Sequence, residues 1–407
     1  MDTDNVSKES DNKIKRILIF SLTYFPKFVG GDGVAIQEIT NRISDEDMIF
    51  DLITARFDSN LPKYEKIGNV NVYRIGFTKK DIKPEEMVRF PMYLVKILFP
   101  ILAFIKAVKL HSKYKYNLIW CMMTYMGFPA VFFNFIFPKV PVLLTLQDGD
   151  PIEYIVERKR IRMVFPIFKK IFKIPEHVQS ISNYLAEFAK DMGYKGDISV
   201  IPNAVNFDFF STRDEDKIKK IKKDLNKKDG EVWLFTSSRL VTKNAVDDVV
   251  RAIPLLPNNI KFLVAGIGPD KEKLDLLIDE LEIADRVIFL GHITHDLLPS
   301  YLHASDIFVR PSRSEGFGNS FVEAMAARTP IIATDVGGIA DFLFHKETGL
   351  VCGVNDSDDI AHKVFMYMQD VELRKEIIDN AEKLAKEKYD WNLISKDMQD
   401  VINRVAD

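Results

Sequence analysis

Cysteine is nearly absent from this chain: Cys121 and Cys352 are the only two in 407 residues, and each lies in an apolar, strand-like segment. Thiols so placed supply neither a disulfide framework nor a thiolate metal site, which fits a reducing, cytoplasmic setting. The opening MDTDNVSKESDNK lacks the apolar core of a secretory signal, and residues 1–12 are expected to form a disordered tail. Histidine is sparse. His292 and His295 lie close together, but no third ligand accompanies them, so no metal site is expected. There is no G-x-G-x-x-G run to mark a dinucleotide site, and no recognised nucleic-acid module beside the basic residues, so nucleic acid is not an expected partner.

Long uncharged runs are also rare. Asn117 to Pro138 has no charged residue and is long enough to cross a bilayer. Gly127 and Pro129 divide it, however, into a β-rich strand, NLIWCMM, and a short apolar helix, the pattern of a buried strand-helix unit in a parallel sheet.

What is present is length and alternation. A chain of this size exceeds one ordinary core, and short apolar strands alternate with amphipathic helices, so two α/β domains are predicted. The boundaries are placed at 13–204 and 205–385, with a closing helical segment at 386–407. Val34, Ile36, Ile39 and Ile43 recur at helical spacing after the Gly30-Gly31 turn. Pro91 to His111 reads as an apolar helix, and DISVIPNAVNFDFF as the last strand of the first domain. Basic residues outnumber acidic ones over residues 1–200, and the reverse holds over 201–407. The positive half suggests an acidic surface or an acidic acceptor.

The most informative stretch is Arg310 to Arg328, RPSRSEGFGNSFVEAMAAR, in which a glycine-rich turn follows an apolar strand and leads into a helix. Gly316 and Gly318 leave the backbone bare enough for a ligand to approach. The helix start, Asn319 to Phe321, offers amide groups and a positive dipole end suited to phosphate. Glu315 and Glu323 add acceptors for vicinal hydroxyls. A sugar nucleotide diphosphate carries all of these groups. Arg239 and Lys243, in the basic loop after EVWLFTSS, have the charge to clamp a diphosphate.

The Glu, seven residues, Glu spacing with Gly-Phe-Gly after the first Glu resembles the donor-site motif of the family 4 retaining glycosyltransferases. VIPNAVNFDFF, SSRLVTKN, LVAGIGP, RVIFLGHI, TDVGGIADFL and ETGLV resemble segments of the same family in the same order. The resemblance implies a GT-B fold, two Rossmann-like domains facing across a cleft. It also implies a metal-independent, cofactor-free enzyme that moves a sugar from a nucleotide diphosphate sugar to a hydroxyl of a glycan or lipid-linked acceptor, in cell-surface polysaccharide or glycolipid synthesis. Another GT-B reaction, epimerase or phosphorylase-like, and a non-catalytic nucleotide-sugar-binding partner are the alternatives.

By resemblance, Glu315, Arg239, Lys243 and Asp148 are the catalytic group. The donor would be bound by Gly30, Gly31, Arg239, Lys243, Asn244, His292, Ile293, Glu315, Gly316, Phe317, Gly318, Asn319, Ser320, Phe321 and Glu323. The chain departs from the family twice. Gln147 and Asp148 stand where many relatives carry a His. The usual Lys lies five residues after the Arg, where this chain has Asn244, with Lys243 one position earlier. Finally, Glu153 to Ile174 intersperses Arg158, Lys159, Arg160, Arg162, Lys169, Lys170 and Lys173 with apolar residues. This pattern suits a helix lying on an anionic membrane, and with it a peripheral location at the inner face of the cytoplasmic membrane.

Overall fold

A computed structural model describes residues 14–83 and 86–407. The tail expected at 1–12 lies outside the described residues. Eight strands form the first sheet: β1 Lys15–Phe20, β2 Met48–Ala55, β3 Tyr64–Ile67, β4 Val70–Ile75, β5 Leu118–Met122, β6 Val142–Leu146, β7 His177–Ser180 and β8 Ile198–Val200. Their order is β3-β4-β2-β1-β5-β6-β7-β8. The second sheet has six: β9 Val232–Ser237, β10 Ile260–Ala265, β11 Val287–Gly291, β12 Ile307–Arg310, β13 Ile331–Ala333 and β14 Leu350–Val351. Their order is β11-β10-β9-β12-β13-β14.

In both sheets the central strands are parallel and covered on both faces. That is why LIWCM of β5 and VLLTL of β6 are apolar without alternation: no residue of either strand faces water. Helices return the chain between parallel strands, as such a sheet requires. The strand order reverses beside β1 and again beside β9, and at such reversals the loops leaving the strands' carboxyl ends splay apart and leave room for a ligand.

By internal contacts the chain forms two compact units. One comprises residues up to Thr145, Pro166–Val178 and Ser395–Asp407, and the other Leu146–Phe165 and Gln179–Ile394. The first unit fixes its terminal helix through Lys15, whose ammonium donates to Asn403 Oδ1 at 3.1 Å. In the second, Leu234, Val249, Phe262, Val264, Val309 and Tyr367 belong to one continuous core.

The uncharged run Asn117–Pro138 is β5, a short turn and the helix Gly127–Ile136. Among the described residues no helix is long and apolar enough to cross a membrane. Cys121 and Cys352 are buried free thiols, and burial pushes Cys352 up to about 12.

Three expectations require correction. The basic segment Glu153–Ile174 is not one helix but three short ones, Ile152–Glu157, Lys159–Met163 and Phe165–Ile171. Its Ile161, Phe168, Ile171 and Phe172 are buried in the protein core, so these side chains have no free face to lay on a membrane. The strand read through DISVIPNAVNFDFF stops at Val200. Pro202 cannot donate to a ladder, and Asn206 accepts from the Phe209 amide at 3.3 Å to cap a helix, Phe207–Ser211. The helix expected over Pro91–His111 runs from Tyr93 to Tyr114.

Candidate active site

The second unit assembles its polar site from four loops. The first is the turn between β12 and the helix Asn319–Ala326. Gly318 caps that helix with φ +87, a left-handed conformation that glycine adopts without strain. A Cβ there would lie 2.6 Å from the Phe321 ring. The amides of Asn319 and Ser320 stand at the open end of the helix. The Phe321 amide turns back to the Gly318 carbonyl at 3.1 Å. The Phe317 and Phe321 side chains, both expected at the donor, pack instead in an aromatic cluster with Phe342 and Tyr389. They support the loop from beneath.

Glu315 is nearly buried, and its carboxylate is held on both sides. Arg310 Nη2 donates to one oxygen, and the Gly316 amide to the other at 3.1 Å. Arg310 also donates to Ser320 Oγ at 2.7 Å and to Asn244 Oδ1 at 3.1 Å, while its Nε is buried without a partner. The loop position is enforced by glycines in a neighbouring turn. The Gly338 amide donates to Glu315 O at 3.0 Å. A Cβ on Gly337 would stand 2.1 Å from that same carbonyl, and one on Gly338 1.9 Å from Gly316 O.

The second loop follows β9. Its turn Thr242–Asn244 ends at Ala245 with φ 52. That geometry sends Lys243 and Asn244 opposite ways. Lys243 Nζ donates to Gly149 O at 2.6 Å and lies 3.6 Å from Asp150 Oδ1. Burial lowers its pKa, and Glu315 and Asp150 oppose that shift. Arg239 and Arg310 also lower it, so three cations share one neighbourhood. Arg239 is exposed. Asn244 is buried, with its Nδ2 donating to Arg239 O at 2.7 Å and its Oδ1 receiving Arg310. Both ends of its amide are thus engaged within the protein, and the expected contact from Asn244 to a ligand is replaced by an internal brace.

The third loop follows β6. Asp148 is nearly buried, and its carbonyl would stand 2.5 Å from a Cβ on Gly316. Gln147 Nε2 donates to Asn203 Oδ1 at 3.2 Å, and Asn203 Nδ2 donates to Asn319 Oδ1 at 3.2 Å. This chain ties the end of β6 to the start of the helix.

The fourth loop, after β11, carries an exposed His292, then Ile293 and His295. His295 Nε2 lies 4.0 Å from Glu323 Oε1, and its ring stacks on Phe209 with centroids 5.6 Å apart. Burial pushes Glu323 up to about 7, with Arg310 the one charge that holds it down. Among the described residues, no three His, Cys, Asp or Glu side chains group as metal ligands do.

Gly30 and Gly31 belong to the first unit. Gly30 caps the helix Gly31–Thr40 in an extended conformation, and a Cβ on it would lie 2.5 Å from Asp32 Oδ1.

Sequence reasoning gave no role to Arg310, Asn203 or His295. Arg310 did leave a signal, a lone charge ending the apolar strand IFVR. The roles of Asn203 and His295 depend on tertiary neighbours and left none.

Comparison with known proteins fits this site to a family. Residues 217–384 match the family model described as glycosyl transferases group 1. An uncharacterised glycosyltransferase of Methanocaldococcus jannaschii is 27% identical over 95% of this chain and 97% of its own length. Among solved structures, sucrose-phosphate synthase from Thermosynechococcus elongatus superposes with a TM-score of 0.79 at 21% identity, over 96% of this chain and 98% of that one. Anabaena HepE, solved in complex with UDP and glucose, gives 0.75 at 19% identity, over 95% and 99%. These likenesses carry the fold, and two largely parallel α/β sheets, as in the GT-B fold expected from the sequence, are observed.

Proposed function

The chain belongs to the group 1 glycosyl transferases, and from that premise we propose that it is a retaining enzyme that takes its sugar from a nucleotide diphosphate sugar. The observation that carries this reading is the meeting of Lys243, Arg310 and a held Glu315 beside an open helix end. The UDP complex of HepE, a protein of the same fold, supports a nucleotide donor.

The chemistry follows from charge. A departing diphosphate gains negative charge, and preorganised cations and amides stabilise it without reorganising at the moment of reaction. Lys243, Arg239 and the amides of Asn319 and Ser320 supply them. The depressed pKa of Lys243 reflects burial, and an arriving diphosphate restores its preference for the charged form. Glu315, fixed by Arg310 and the Gly316 amide, retains lone pairs for the sugar hydroxyls. Glu323 takes the ribose diol. The phosphate oxygen that leaves accepts the proton of the attacking hydroxyl on the same face, so the configuration is retained and no protein nucleophile is needed. These cations perform the neutralisation that a metal would otherwise supply, so we propose activity without metal or cofactor. The acceptor is a glycan or lipid-linked hydroxyl met at the cytoplasmic membrane face.

The test is turnover. Purified protein incubated with the donor that most raises its melting temperature should release nucleoside diphosphate in step with acceptor, in the presence of chelator. The anomeric proton of the product should match that of the donor in an NMR spectrum. Inverted product would overturn the retaining assignment, and loss of activity to chelator would overturn metal independence.

A further inference from the structure

The helix Tyr93–Tyr114 turns Val95, Phe99, Ala103, Ala107 and Leu110 into the core of the first unit. A helix on a protein surface ordinarily shows polar residues on its other side. This one shows Ile97, Leu98, Ile101 and Ile105, all exposed, Ile101 by 51%. Just before the helix Phe90 is 83% exposed, and at the end of the adjoining helix Gly127–Ile136 Phe135 is 88% exposed. The two helices pack together, with the Phe104 and Phe132 rings 6.1 Å apart.

The charge along these two helices and their connections has one sign. From Met87 to Gln147 the chain has no Asp or Glu, and its charged residues are Arg89, Lys96, Lys106, Lys109, Lys113, Lys115 and Lys139. Arg89, Lys109, Lys113 and Lys139 are exposed. A second copy docked here face to face would set lysine against lysine. An anionic lipid surface meets both features: acyl chains receive the isoleucines and phenylalanines, and headgroups neutralise the flanking cations.

We infer that the Ile97, Ile101 and Ile105 face, with Phe90 and Phe135, is the surface by which this protein docks on an anionic bilayer. This assigns membrane contact to the first unit's apolar helices and away from the basic segment 153–174, where Ile161, Phe168, Ile171 and Phe172 are buried. The inference stands apart from the glycosyl-transfer reading, because docking is read without donor or acceptor.

The experiment is co-sedimentation of the whole chain, free of nucleotide, with vesicles of phosphatidylcholine alone or mixed with phosphatidylglycerol. The protein should partition to the mixed vesicles about tenfold or more better than to the neutral ones at low salt. Ile97→Glu, Ile101→Glu and Ile105→Glu combined should lower that binding about tenfold or more. The melting temperature should hold, since the three side chains are exposed. Lys169→Glu, Lys170→Glu and Lys173→Glu combined should lower binding by less. Equal binding to both vesicle types, or a larger loss in the lysine triple than in the isoleucine triple, would overturn the inference. A dimer that the isoleucine triple dissociates would likewise overturn it and give the face to a second copy.

Discussion

Glu315 and Glu323 stand eight positions apart on one loop-helix unit, yet their surroundings differ in kind. Glu315 is gripped by a guanidinium and an amide, with the Lys243 ammonium close by. Glu323 is partly buried without such a grip, and the loss of hydration raises its pKa to about 7. The first is a carboxylate held in place and aimed. The second becomes a full acceptor only when a ligand or rising pH takes its proton. The same side chain thus serves two purposes, set by what the fold places around it.

The largest effect should come from the gripped carboxylate. Glu315→Ala leaves the buried Arg310 guanidinium without its paired carboxylate, a loss of about 3 to 5 kcal/mol in folding free energy. Turnover should fall about a hundredfold or more as the donor sugar loses its anchor. Denaturant unfolding and the initial rate measure the two losses, and Glu315→Gln should recover part of the first while leaving most of the second.

Lys243→Ala should cost about 2 to 4 kcal/mol in kcat/KM, the scale for removing one preorganised donor at a developing charge. If kcat/KM stays at the wild-type level, Lys243 is only a surface cation.

Glu323 predicts a pH signature. Its carboxyl is raised from 4.5 to about 7. The folded state therefore holds a proton that the unfolded chain releases, and this stabilisation is complete below pH 4.5 and lost as pH rises through 7. The span amounts to about 3 kcal/mol. Glu323→Gln should remove this part of the pH dependence of unliganded stability. Donor binding, which needs the carboxylate for the ribose, should weaken as pH falls below 7 and should release protons near it.

Asn244→Ala should show the smallest effect, about 1 to 2 kcal/mol of stability from the lost brace between Arg239 O and Arg310, with kcat/KM falling less than in Lys243→Ala. A reversed ranking in kcat/KM would place Asn244, not Lys243, at the phosphate.

Much of this was legible in the sequence. Apolar strands that alternate with helices disclosed two parallel sheets, because a strand covered on both faces has no polar alternation to show. The glycine-rich turn before Asn319 disclosed the helix start. The orientation of Lys243 and Asn244 was not legible: it depends on the left-handed Ala245, a conformation with no mark in the residue type. Nor was the apolar face of Tyr93–Tyr114 visible. A helix with so many apolar positions reads as buried, and only tertiary structure shows which of them were left uncovered. The FDFF run misled because its apolar density resembles a strand, although Pro202 and Asn206 already marked a stop and a cap.

The central claim is that the second unit's Lys243, Arg310, Glu315 and Glu323 form a nucleoside diphosphate site. Calorimetric titration of the whole protein with UDP, GDP and ADP at pH 8 tests it most directly. At least one of them should bind saturably and one-to-one, with affinity weakened about tenfold or more by Lys243→Ala and by Glu323→Gln. No binding of any of the three, or binding that both variants leave unchanged, would contradict it.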